Sequence, residues 1–224
     1  MKKISGTILL LIIAITTSVA QNLSEKPFEL RNGDLLFQDL DCGPMCDAIE
    51  EVTQGYRGAK FSHVGMVLVQ NDTVKVIEAI SRGVSITPLP SFLQRSLDKD
   101  GKPKVAVGRL KSRYQKLINR AITEALKLRG KPYDDYFLIN NDAYYCSELV
   151  YFAFMRANGN KSIFPLAPMT YKSPKSKTLF PVWDEYFKKL GVPVPEGKPG
   201  INPGGISRSP YLNVFFPFGK QDRK

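Results

Sequence analysis

Histidine is almost absent from this chain. His63 stands alone in 224 residues, which puts a three-histidine zinc site out of reach, and the three cysteines offer no Cys-x-x-Cys pair in its place. No metal or other cofactor is therefore expected, and any imidazole chemistry has a single possible base. No Gly-x-Ser-x-Gly elbow surrounds Ser62 or Ser147, so a serine hydrolase lacks its usual strained turn. There is no internal repeat, no extended low-complexity tract, and no wall-anchoring or carbohydrate-binding repeat. The one pronounced apolar run, Ile8 to Ile15, is too short for a comfortable membrane span.

That run has another reading. Lys2 and Lys3 precede it and Ser18-Val19-Ala20 follows it, the pattern of an export signal over 1–20 cleaved after Ala20. No cysteine follows Ala20 closely, so a lipid-attached N-terminus is not supported. Residues 21–224 suit one domain with one substantial core, expected to act as a monomer outside the cytoplasm, periplasmic or secreted. The formal net charge is +11, about +9 without the two lysines of the leader, which draws an exported protein toward cell wall or anionic headgroups. Nucleic acid is not an expected partner, because the basic residues are scattered and no groove-reading motif accompanies them. Three thiols allow one disulfide and one odd cysteine; Cys42 and Cys46 are the candidate pair, and three unpaired thiols are the alternative.

Tyr144 to Met155 is dense and apolar, without Gly or Pro, and follows the cap-competent Asn140-Asn141-Asp142. It reads as a buried helix with Cys146 in its first turn. Unsatisfied N–H groups and the helix dipole there favour thiolate over thiol. Two readings stay open: an activated nucleophile, or a small core hydrophobe.

His63 lies in an almost continuously apolar strand, Phe61 to Val69, and after the turn Gln70 to Thr73 a second strand runs from Val74 to Ile80. If Val69 pairs with Val74, His63 falls opposite Ile80 and Glu78 opposite Gly65, so His63 and Glu78 share a face as diagonal neighbours. A slip of one residue would separate them. A lone strand histidine is commonly structural; the adjacent carboxylate and a cysteine at a helix start are what point to chemistry. Cys146 would attack a carbonyl carbon, His63 would take and return the proton, and Glu78 would orient the imidazole.

Elsewhere, 21–30 reads as a loose N-terminus, Leu35 to Phe37 as a strand, 41–54 as helical after Pro44, and Val84 to Ile86 and Val105 to Leu110 as strands. Spacing of Leu117, Ile118, Ala121, Ile122 and Ala125 predicts a helix over 112–129, stopped by Gly130 and Pro132. Val182, Trp183, Tyr186, Phe187 and Leu190 form an apolar cluster, and the Pro- and Gly-rich segment from 191 onward is expected to wrap the surface.

Four segments together carry a family likeness. Gly33-Asp34-Leu35-Leu36-Phe37, Phe61-Ser62-His63-Val64-Gly65-Met66-Val67, Val76-Ile77-Glu78-Ala79 and Tyr144-Tyr145-Cys146-Ser147-Glu148-Leu149-Val150 resemble the NlpC-type papain-like cysteine hydrolases. In ordinary members the cysteine helix comes first; here it comes last, as in the circularly permuted YiiX/YebB-like branch. The resemblance implies an α+β, permuted papain-like fold, with a small antiparallel barrel-like sheet packed on the cysteine helix. It matches Cys146 to the nucleophile, His63 to the base, Glu78 to the third polar residue and Asp34 to a structural position, while Tyr145 and Tyr56 are candidates to line the site. An exported amidase or peptidase acting on cell-wall peptide is the leading expectation. Alternatives are an acyl hydrolase or acyltransferase on lipid or N-acyl substrates, a non-catalytic binding module, and a basic surface-binding protein with a structural cysteine.

Overall fold

The computed structural model describes residues 28–218. The export signal expected over 1–20 lies outside the described residues. The first strand, β1 (Leu35–Gln38), is buried throughout, and a short helix, α1 (Pro44–Val52), follows with proline in its first turn. Cys42 and Cys46 form a disulfide at the start of α1. Next come the hairpin strands β2 (His63–Gln70) and β3 (Thr73–Ile80), then β4 (Gly83–Pro88), α2 (Leu89–Leu93) and β5 (Val105–Leu110). Helices α3 (Ile118–Lys127) and α4 (Cys146–Ala157) complete the central part. The remaining elements are β6 (Ala167–Pro168), α5 (Pro181–Leu190), β7 (Pro199–Gly200), α6 (Pro203–Ser207) and β8 (Leu212–Phe215).

Six strands form one antiparallel sheet in the order β4-β3-β2-β1-β5-β8. The sheet is open, which corrects the barrel-like expectation. On the free side of β4 the backbone of Val84 is already used: Val84 N donates to Lys131 O at 2.9 Å, and Gly130 N donates to Val84 O at 2.9 Å. The loop after α3 thus covers the edge that closure would need.

One face of the sheet carries Leu35, Phe37, Val64, Met66 and Ile77 into the main core with α3 and α4. The other carries Leu36, Val67 and Val76, with Phe92 of α2, Phe28 and Leu30 packed against them. The looseness expected over 21–30 therefore does not reach Phe28. Near β1, Asp34 is 2 % exposed and takes two bonds from Arg109, Nε to Oδ1 at 2.8 Å and Nη2 to Oδ2 at 2.7 Å.

The helix expected over 112–129 divides into a 3-10 turn, Ser112–Leu117, and α3, with Gly130 at φ 84° ending it. The apolar cluster around Trp183 is α5, seated on Ala48 and Tyr171. The tail from 191 does more than wrap the surface. Ile201, Ile206 and Leu212 are buried, and β8 adds a strand beside β5. Its Gly and Pro residues serve close packing as well as turns: a Cβ on Gly204 would stand 2.5 Å from Thr53 O.

Candidate active site

The β2–β3 hairpin has the register read from the sequence, with Val69 opposite Val74 and Met66 opposite Ile77. Alternation then points His63 and Glu78 to the same side. Their side chains meet: His63 Nε2 lies 2.7 Å from Glu78 Oε2, both groups buried. Gly65 makes room behind the histidine. A Cβ there would stand 2.4 Å from Val76 Cγ1 and 3.3 Å from Phe92 Cε2, and it is the Phe92 ring that packs on the imidazole at 5.9 Å between centroids.

Cys146 is the first residue of α4, close enough to His63 for the imidazole to act on its thiol. Because Nε2 faces Glu78, Nδ1 is the ring nitrogen left for sulfur. Burial by itself pushes the thiol pKa up, but His63 and the backbone N–H groups of Val64 and Ser147 outweigh it, leaving the thiol below its ordinary value. Burial likewise pushes His63 down, and its interactions with Cys146 and Glu78 reverse this, raising the imidazole to about 9. The two shifts favour a thiolate–imidazolium pair, which titrates as a unit.

Glu78 is fully buried and does not face His63 alone. Thr87 Oγ1 donates to its Oε1 at 2.5 Å and Arg95 Nη2 to its Oε2 at 2.6 Å. Burial raises this carboxyl, yet the bonds from His63, Arg95 and Thr87 bring it down to about 2. Thr87 and Arg95 escaped the sequence reading. Thr87 was within reach, since β3–β4 pairing puts Ser85 opposite Glu78 and Thr87 two residues along on the same face. Arg95 follows α2 with no pattern to mark it.

The helix start also differs in detail. Asn140 and Asp142 lie in the preceding loop with positive φ, and the side chain that reaches the helix end is Glu148, whose Oε2 accepts from Tyr145 N at 3.4 Å. Burial, with Asp134 nearby, holds the Glu148 carboxyl up at about 8, which weakens the negative charge this cap brings to the helix start. Tyr145 and Cys146 line a pocket, and the Tyr145 hydroxyl accepts from Ile201 N at 3.1 Å. Tyr56 is not among the lining residues; its N–H donates to Ser207 Oγ at 2.9 Å.

Residues 29–215 match the model of a family described as permuted papain-like amidase enzymes, YaeF/YiiX, C92 family. The chain belongs to the permuted papain-like amidase family. Within that family it is 30% identical over 153 residues to the uncharacterized protein YiiX of Escherichia coli strain K12, covering 67% of this chain and 68% of the relative. A crystal structure of YiiX from Escherichia coli O157:H7 superposes with a TM-score of 0.67 at 25% identity, over 84% of this chain and 98% of that one. That YiiX is described as a metalloprotein. Among the described residues here, no group of three or more His, Cys, Asp or Glu side chains is placed to hold a metal ion, and the one histidine commits Nε2 to Glu78. Membership supports a papain-like amidase fold and a cysteine hydrolase class for this permuted papain-like chain.

Proposed function

We propose that this protein hydrolyses an amide bond through Cys146, His63 and Glu78. The observation that carries the reading is the buried His63–Glu78 pair, 2.7 Å apart, beside a Cys146 thiol whose pKa the imidazole lowers. The Cys146 thiolate attacks the carbonyl carbon, and backbone N–H groups at the start of α4 take up the oxyanion, each good donor contributing about 3 kcal/mol. As the C–N bond breaks, His63 gives its proton to the departing amine, leaving a thioester. Water then attacks, His63 takes its proton, the C–S bond breaks and the carboxylic acid leaves, restoring the pair.

Export is part of the proposal. The basic, apolar, small-residue order of 1–20 supports it, and so does the Cys42–Cys46 disulfide, which suits an oxidising compartment. The substrate class suggested by the family likeness is a peptide or N-acyl amide at the cell envelope, such as cell-wall peptide, with the protein acting as a monomer.

The test is iodoacetamide labelling of Cys146 from pH 4 to 9, followed by mass spectrometry, in the wild type and in His63→Ala. Rapid labelling that stays high below pH 8 and is lost in His63→Ala supports the reading. A thiol that titrates near its free value of about 8.5 in both proteins sinks it and leaves the binding-module alternative.

A further inference from the structure

We propose that the group attached directly to the scissile carbonyl is aliphatic and uncharged, so that Cys146 carries an aliphatic acyl thioester. The inference rests on the hydrolase reading above and names its acyl donor.

The pocket beside Cys146 is walled by Ile49 and Val52 of α1, Tyr133, Phe137, Met169 and Trp183. No Asp, Glu, Lys, Arg or His lines it. A carboxylate seated there would lose its water and gain no cation, while a hydrocarbon group would find apolar surface on several sides. Tyr133 fits this character: burial, together with negative charge on Cys146, keeps its hydroxyl neutral far above the ordinary range. The far wall is fixed, because Ser147 Oγ donates to Ile201 O at 2.9 Å while Ile201 N donates to the Tyr145 hydroxyl at 3.1 Å. The two residues flanking the nucleophile therefore hold the tail segment that closes the pocket, and sulfur and wall form one unit. Charged side chains begin farther out. Lys172, Lys177 and Glu196 line a neighbouring depression that meets the first at Val52 and Thr170. Charge is thus accommodated on distant parts of a substrate and excluded next to the reacting carbon.

The experiment measures kcat/KM for the p-nitroanilides of acetate, hexanoate, N-acetyl-leucine and succinate, alongside iodoacetamide labelling of Cys146. Hexanoyl or N-acetyl-leucyl anilide is expected to exceed both acetyl and succinyl anilide by about tenfold or more, in line with the discrimination hydrocarbon pockets achieve. Hexanoyl ahead identifies a fatty acyl donor; N-acetyl-leucyl ahead identifies an aliphatic aminoacyl donor. Met169→Lys, at a half-buried position on the pocket, is expected to raise succinyl relative to hexanoyl turnover. If Cys146 labels rapidly but succinyl anilide is cleaved as fast as the aliphatic ones, or no aliphatic anilide is cleaved, the inference is overturned and the hydrolase reading stands. If Cys146 neither labels rapidly nor cleaves any anilide, both are overturned.

Discussion

Glu78 Oε2 sits between two cations, 2.7 Å from His63 Nε2 and 2.6 Å from Arg95 Nη2. One carboxylate oxygen therefore orients the imidazole while being held in place by a side chain that is 31% exposed at the surface. Arg95 also lies over the Phe92 ring, its guanidinium carbon 4.8 Å from the centroid, so the same aromatic residue braces both cations.

Glu78 and its partner Arg95 give different pH signatures. Glu78→Gln removes the negative charge, so the imidazole is expected to fall from about 9 toward its ordinary 6.5, pulling down the alkaline limb of kcat/KM. Arg95→Met removes a competing cation. Its limb is expected to stay near 9 while the rate drops roughly tenfold from a less restrained carboxylate, with Arg95→Lys recovering part of the loss. A rate in Arg95→Met equal to that of the wild type would show that Arg95 does not act through Glu78.

Acid stability follows from the same carboxyl. The Glu78 pKa in the fold, about 2, is below the ordinary 4.5, so its contribution is fully present above 4.5 and is lost as pH falls toward 2. A difference of that size corresponds to about 3 kcal/mol for this fully buried group. Urea melts of the wild type and Thr87→Val between pH 6 and about 3 are expected to converge as the pH falls. Curves that stay parallel would argue that Glu78 is not the group being lost.

Gly65→Ala is expected to destabilise the protein by about 1–3 kcal/mol, because the new methyl group meets Val76 and Phe92. Since Phe92 packs on His63, iodoacetamide labelling of Cys146 should slow as well. Loss of stability with labelling unchanged would separate Phe92 from the alignment of His63.

Breaking the Cys42–Cys46 bond by a double serine substitution is expected to cost about 2 kcal/mol, as the loop it closes is short. Helix α1 carries Ile49 and Val52 into the pocket, so KM for aliphatic anilides should rise more than kcat falls. Calorimetry and steady-state kinetics on the double variant measure both effects.

The sequence by itself determined the hairpin and what it aligns. Pairing Val69 with Val74 across the turn, the register the sequence suggested and the fold adopts, places His63 and Glu78 on one side by a period of two. Local apolar density likewise marked α4 and put Cys146 at its start. Only the tertiary structure decided what surrounds these residues. Thr87 and Arg95 reach Glu78 from a third strand and from beyond α2, contacts that no local period encodes. The tail read as a surface wrap became a pocket wall and an edge strand because hydrogen bonds to Tyr145, Ser147 and β5 fix it, and these depend on distant chain segments meeting. The loop at Gly130 and Lys131 likewise pairs with the β4 edge at Val84, a contact between distant chain segments that the local pattern does not encode.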